Sequence, residues 1–335
     1  MKQETLKLLI CPECSNSLTT EVFHFNDLNY IIEGLLCCEE CKSWYPISKG
    51  VANLLPKHLA NTQSRMEFQK KWNFSLENTL VEKLDHSISE KRKQIDFFNS
   101  ETEGYVENME NTSFWMANDW NCLRGWLPLV NNDQIILDIG CGTGRASFPF
   151  IKKGVNAIGL DISDNMVYQA KKKSDSLGLS NKVDYIIGDS ENLPFKNESF
   201  DAVIAFGVLH HVPNPQIMLQ QIANCLKENG FYFGHENNDS ILRPIFDLMM
   251  KISKLWEEEA GDHPLISKMK LAQWAEIAGL SLEMRSSVFI PPHLLNIFNA
   301  NFAKLILSIS DFIFNNLKLT NNLGGILVIK GRKNF

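Results

Sequence analysis

Two cysteine pairs, Cys11/Cys14 and Cys38/Cys41, stand within the first 41 residues of a 335-residue chain. A Cys-x-x-Cys spacing turns two thiolates toward one point, and two such knuckles complete the tetrahedral sulfur set that zinc prefers. With sulfur at all four positions no coordination site stays open for water or substrate, so the expected ion is structural rather than catalytic. Cys37 could replace Cys38 with one more residue of spacing, but the symmetric pair favours Cys38. Nothing in the sequence reads as a signal peptide or a bilayer span, and the expected location is the cytoplasm. Thiols stay reduced there, so a cluster among the eight cysteines calls for a metal rather than disulfides.

A second constellation begins at Asp138. An apolar run, Gln134 to Ile139, reads as a strand; Gly140-Cys141-Gly142-Thr143-Gly144 reads as a loop; and Arg145 to Lys153 continues as a helix that Gly154 stops. Glycines at alternate positions let the backbone approach a ligand closely, and the helix start offers free amide donors. Asp161 ends the next strand, Asn156 to Leu160, where a carboxylate can accept both hydroxyls of a ribose. The spacing is Gly-x-Gly-x-Gly, not the Gly-x-Gly-x-x-Gly of dinucleotide sites. Asp138 beside the loop would repel a pyrophosphate, yet it suits the ammonium and sulfonium of S-adenosylmethionine. The chemistry points to a methyl donor rather than a dinucleotide.

The run Leu137-Asp138-Ile139-Gly140-Cys141-Gly142-Thr143-Gly144-Arg145 resembles the first motif of class I S-adenosylmethionine-dependent methyltransferases. Asp161 to Met166 is similar to the second motif, Gly188 to Phe195 to the third, and Phe200 to Val212 to the fourth strand and its loop. Leu226 to Gly230 departs from the Lys-Pro-Gly-Gly turn that usually precedes strand five. The resemblance implies that Asp138, Gly140, Cys141, Gly142 and Gly144 form the donor loop and that Asp161 holds the ribose. It further implies that Ile162 and Met166 lie against the adenine, that Asp189 and Ser190 face its amino group, and that Phe206 completes the site. The runs Leu8 to Cys14, Cys38 to Cys41 and Tyr45 to Pro56 resemble a zinc-ribbon family that includes the small activator subunit of tRNA and protein methyltransferases. That resemblance implies a scaffold or a module that docks a protein partner.

Methyl transfer is an in-line displacement at a carbon already activated by positive sulfur, so alignment and exclusion of water supply most of the catalysis. A base is needed only where the acceptor must lose a proton. His210 and His211, after strand four, are the candidates, with capping of their own loop as the competing role. His235 and Glu236, at the end of strand five, come next, and no base is assigned.

The elements that must position these groups define an α/β fold: a Rossmann-like class I methyltransferase domain with a seven-stranded, mostly parallel sheet, a small N-terminal zinc ribbon and helical insertions. The expected division is a ribbon over 1–56, a helical connector over 57–103 and the methyltransferase domain over 104–335, with insertions near 240–266 and 291–320. Within the ribbon, Glu21 to Phe25 and Tyr30 to Ile32 read as a hairpin about Asn26 to Asn29. Ser240 reads as the cap of a helix running to about Trp256, with Arg243, Asp247, Lys251 and Lys254 on one stripe. Phe302 to Leu317 repeats the design with Lys304, Ser308, Asp311 and Asn315. The broad apolar faces of both are expected to pack as core or to roof an acceptor pocket.

The expected function is methyl transfer to a small-molecule or lipid-like biosynthetic acceptor, with S-adenosylmethionine as cofactor and zinc as structural metal. One rival is an rRNA or tRNA base methyltransferase that uses the ribbon for recognition; another is a non-catalytic, cofactor-binding adaptor. A formal net charge of −6 gives no global field to recruit a polyanion, which argues against nucleic acid.

Overall fold

Short runs of β-branched and aromatic residues, each ended by Gly, Asn or Asp, build one continuous sheet. The computed structural model describes residues 1–76, 86–105, 110–253, 255, 265–317 and 319–334. After a helical turn, α1 (Gln3–Leu6), the chain forms an antiparallel ribbon of β1 (Thr19–Phe25), β2 (Ile31–Cys37), β3 (Trp44–Ser48) and β4 (Val51–Asn53). The hairpin read from the sequence is present. Asn26 closes it by accepting from the amides of Leu28 and Tyr30 through Oδ1, and Asn29 takes the left-handed conformation the turn requires.

Four helices follow: α2 (Thr62–Trp72), α3 (His86–Ser100), α4 (Thr102–Tyr105) and α5 (Ser113–Trp126). Asn61 and Thr112 cap α2 and α5 through side-chain oxygens. Helix α2 lies on the ribbon, where Trp72 stacks on Phe23 at 4.6 Å and the Arg65 guanidinium lies over Trp44 at 3.7 Å.

The remaining chain alternates β5 (Ile135–Ile139), α6 (Phe148–Lys152), β6 (Asn156–Asp161), α7 (Asp164–Ser176), β7 (Val183–Ile187), β8 (Phe200–Phe206), α8 (Pro215–Cys225) and β9 (Leu226–Asn237). It ends with α9 (Arg243–Ile252), α10 (Lys268–Ile277), β10 (Leu280–Ser287), α11 (Pro292–Leu295), α12 (Ala300–Asn315) and β11 (Ile326–Lys333). The seven strands from β5 onward lie in the order β7-β6-β5-β8-β9-β11-β10, and β11 runs antiparallel to both neighbours. The segment 226–230, read as a turn before the fifth strand, is instead a bulge inside β9. Leu226 pairs with Phe200, Phe231 pairs with Ala202, and Asn229 takes a positive φ.

The ribbon extends this sheet to eleven strands. Strand β4 pairs in parallel with β7, Ala52 opposite Ile186 and Asn53 opposite Ile187, and the Leu54 amide donates to the Ile187 carbonyl at 2.8 Å. The amide of Ile10 donates to the Pro194 carbonyl, and that of Lys196 donates to the Leu8 carbonyl. Leu36, Tyr45 and Ile47 of the ribbon are buried in one core with Leu137, Ile158 and Ile186. A ribbon too small to bury much apolar surface by itself thus shares the core of the larger sheet.

Candidate active site

A cavity of about 520 Å³ opens at the carboxyl ends of β5, β6, β7, β8 and β9. Gly140, Gly142, Asp161, Ile162, Met166, Asp189, Ser190 and Phe206 line it, as do His210 and His211. Asp138, Cys141 and Gly144 lie behind it.

The loop after β5 turns through left-handed residues, φ +62° at Gly140 and +49° at Gly142. A Cβ at Gly140 would come within 2.5 Å of Val208 Cγ2, whereas one at Gly142 would meet nothing within 4 Å. Gly142 therefore presents bare backbone to the cavity. Its amide donates to Asp161 Oδ2 at 2.8 Å, and the Ser163 amide donates to Oδ1 at 2.9 Å, so the loop and the acidic end of β6 form one rigid unit. Burial pushes the Asp161 carboxyl above its usual range. Asp138 is fully buried beneath the loop, and burial, with a contribution from Asp161, raises its pKa to about 7. Its charge reaches the cavity through the field rather than by contact.

Opposite, Lys91 of α3 reaches between Asp189 Oδ2, at 2.7 Å, and Glu191 Oε2, at 2.5 Å. Gln94 and Phe98 of the same helix, and Tyr105 of α4, also line the cavity. Trp115 of α5 lines the cavity beside Tyr105, whereas Trp72 packs on the ribbon and Trp126 stacks on Phe233.

His210 is held by Glu236. The fully buried carboxylate accepts the Val208 and Leu209 amides at 3.1 and 2.9 Å through Oε1, and its Oε2 lies 2.6 Å from His210 Nδ1. This tether locks the short 3₁₀ turn Leu209–His211, the arrangement expected of a loop cap. His211 packs edge-on against Phe98. His235 lies flat on Phe206, its ring centroid 4.3 Å away, and the Asn118 amide donates to its Nε2 at 2.9 Å. Burial, then the charge of Arg145, lowers its pKa to about 3, so the ring is neutral. Arg145, Lys91 and Asn118 were not among the residues singled out from the sequence. Arg145 sat inside the quoted motif, and Lys91, 98 residues from its partner Asp189, carries no local signal.

The roof departs from expectation. The N-cap position of helix α9 is Leu242, with no side-chain cap, so Ser240 does not cap it, and the described helix ends at Ile252; Lys254 and Trp256 lie outside the described residues. Its polar stripe, Arg243, Asp247 and Lys251, faces the cavity with Phe246 and Met250. Ile241, Ile245, Leu248 and Ile252 face solvent, Ile241 being 83% exposed. Helix α12 is inverted in the same way. Asp311 is buried, accepting from Arg285 Nη1 at 2.8 Å and Asn121 Nδ2 at 2.6 Å, while Phe302, Leu305, Ile309 and Phe312 are exposed. The core reading holds for Ala303 and Leu307, which are buried in the core, and fails for the rest of these apolar faces, because the inward side of α12 also carries this buried polar network.

In the ribbon the sulfurs of Cys11, Cys14, Cys38 and Cys41 all lie within 4.8 Å of one another, with Cys11–Cys41 at 3.5 Å and Cys14–Cys38 at 3.4 Å. Tetrahedral zinc with sulfur at about 2.3 Å separates its ligands by roughly 3.8 Å, so the set fits that ion. Cys37 points the other way along β2, toward Trp44 and Phe68.

The methyltransferase-domain family matches residues 137–234, and the Trm112p-like protein family matches residues 2–50. The ubiquinone/menaquinone biosynthesis C-methyltransferase of Bartonella henselae is 31% identical over 53% of this chain and 68% of its own length. The chain belongs to the class I S-adenosylmethionine-dependent methyltransferases. The sterol 24-C-methyltransferase of Pneumocystis carinii is also 31% identical, but the chain spans only 39% of that protein's length. Among solved structures, a chain from the complex between the Haloferax volcanii Trm112 methyltransferase activator and a methyltransferase shares the fold, with a TM-score of 0.50 and 20% identity over 73% of this chain and 97% of that one. Among the described residues no helix of this methyltransferase is long and apolar enough to cross a membrane.

Proposed function

We propose that the protein transfers a methyl group from S-adenosylmethionine to a small-molecule or lipid-like acceptor, and that the zinc ribbon acts within the same chain as a scaffold. One observation carries the reading: Asp189, Asp161 and Gly142 line a single cavity at the ends of the adjacent strands β7, β6 and β5, so the donor's adenine, ribose and methionyl parts would meet them in their covalent order. Gly140 and Gly142 would hold the methionyl part, Asp161 would accept the ribose hydroxyls, Ile162 and Met166 would cover the adenine, and Asp189 and Ser190 would meet its amino edge. The donor, when bound, supplies a methyl carbon on positive sulfur. The chain's own residues then orient the acceptor and exclude water, which α3 and α9 do from two sides of the cavity.

A lipid-like acceptor is supported by Phe246 and Met250 in the roof and by the apolar outer faces of α9 and α12. The pairing of β4 with β7 supports a scaffold role for the ribbon, since that contact is made inside the chain.

Incubating the protein and labelled methyl donor with extract from cells lacking the protein tests the reading. Label is expected in the lipid or small-molecule fraction. Label in RNA would favour the base-methyltransferase alternative, and no label together with intact S-adenosylhomocysteine binding would favour the adaptor.

A further inference from the structure

In one corner of the cavity two side chains, Arg145 and His235, have no part in the proposed hold on the donor. The Arg145 guanidinium is 5.0 Å from the Trp115 ring centroid and 5.2 Å from that of Phe206, and the same two rings carry His235, at 6.3 and 4.3 Å. Arg145 is tethered on its Nε side, 3.4 Å from Asp119 Oδ2. Its Nη1 is buried and has no hydrogen-bond partner among the described residues, and the same holds for His235 Nδ1. With the Asn118 amide donating to Nε2, the ring proton of His235 sits on Nδ1. Both side chains line the cavity. Two N–H donors, one of them cationic, are therefore held by aromatic packing and meet no acceptor among the described residues. Of the other basic groups of the wall, Lys91 is engaged with Asp189 and Glu191, and Arg243 with Asp247 at 2.5 Å, while Lys251 of α9 is exposed. Buried donors left open are costly, which marks a place a ligand fills.

We propose that Arg145 and His235 bind an anionic oxygen of the methyl acceptor, a carboxylate, enolate or phenolate, so that the acceptor enters the site already ionised. The inference rests on the methyltransferase reading. It needs no base from the chain: Glu236 is fixed to His210 and the Val208–Leu209 amides, and a guanidinium beside an enol or phenol favours loss of its proton to solvent. The anionic oxygen, or the carbon conjugated with it, forms the bond to the methyl carbon; the sulfur–methyl bond breaks, its electron pair returns to sulfur, and the anion and the sulfonium are neutralised together, a ring carbon of a phenolate then losing its proton to solvent.

The test uses the full chain saturated with S-adenosylhomocysteine and 4-nitrophenol, whose absorbance reads its ionisation, with nitrobenzene as the uncharged control. The wild type should bind the phenolate form and raise the ionised fraction, and it should bind nitrobenzene at least about tenfold more weakly. Arg145→Met should lose about tenfold or more of the phenolate affinity, Arg145→Lys should keep part of it, and His235→Gln should lose severalfold. S-adenosylhomocysteine affinity should stay within about twofold throughout. Should Arg145→Met fail to fold, Arg145→Lys and His235→Gln carry the comparison. Equal binding of nitrobenzene, or unchanged phenolate affinity in these variants, would overturn the inference. A parallel loss of S-adenosylhomocysteine affinity would also overturn it, by assigning the anion site to the donor's own carboxylate. A wild type that binds no S-adenosylhomocysteine would instead refute the underlying methyltransferase reading.

Discussion

The ammonium of Lys91 sits 2.7 Å from the carboxylate of Asp189, the residue proposed to meet the adenine. Their side chains are only 10% and 3% exposed, and Glu191, 5% exposed, completes the cluster. Breaking a buried pair from one side leaves charge uncompensated, a loss of about 3–5 kcal/mol. Lys91→Met should therefore lower unfolding stability by that order in a urea titration, with Lys91→Arg costing less. A loss under about 1 kcal/mol would show that the cluster is solvated in solution.

Gly142 offers a separation of binding from folding. An added methyl group there meets only open cavity, whereas the backbone pays roughly 1 kcal/mol for a side chain at positive φ. Gly142→Ala is expected to shift the thermal midpoint by a few degrees and to weaken S-adenosylhomocysteine binding at least about tenfold by calorimetry. Gly140→Ala, where Val208 blocks the methyl group, should lose stability more heavily. Retained ligand affinity in Gly142→Ala would remove the loop from the donor site.

The zinc ribbon shares a sheet and a core with the methyltransferase strands, so metal removal should be felt by the whole chain. Purified protein is expected to carry about one zinc per chain by elemental analysis. Chelation, or Cys38→Ser, should lower the midpoint of a single cooperative unfolding transition, whereas Cys37→Ser should keep the metal. A separate early transition for the ribbon, with the main one unmoved, would contradict the shared core.

The glycine loop, the acidic ends of β6 and β7 and the two cysteine knuckles are legible in the sequence because each is local: a few residues in a fixed spacing dictate the turn or the ligand set. Two kinds of feature are not. The pairing of β4 with β7 and of Lys91 with Asp189 joins segments about a hundred residues apart or more, and neither partner alone differs from a solvated strand edge or a surface lysine. The inverted faces of α9 and α12 mislead for another reason. Periodicity finds the polar stripe correctly, but it assigns that stripe to water, and only the positions of Asn121 and Arg285 show that Asp311 turns inward beside the buried Ala303 and Leu307.

Asp138 gives the molecule a pH signature. Its folded value of about 7 lies above the ordinary carboxylate value of 3.8, chiefly because it is buried. The folded chain thus keeps a proton that the unfolded chain has lost, and stability linked to Asp138 is fully present below about pH 4 and disappears as the pH rises through 7. Asp138→Asn lacks this linkage. Between pH 8 and pH 5 the wild type should gain about 3 kcal/mol relative to the variant in urea unfolding, and parallel profiles would disprove the shift. The ionised carboxylate also favours a cation nearby, so affinity for the sulfonium donor should rise relative to the neutral thioether S-adenosylhomocysteine as the pH passes 7. Calorimetry on both ligands at pH 6 and pH 8 reads this directly: the ratio of the two affinities should move in the wild type and stay constant in Asp138→Asn.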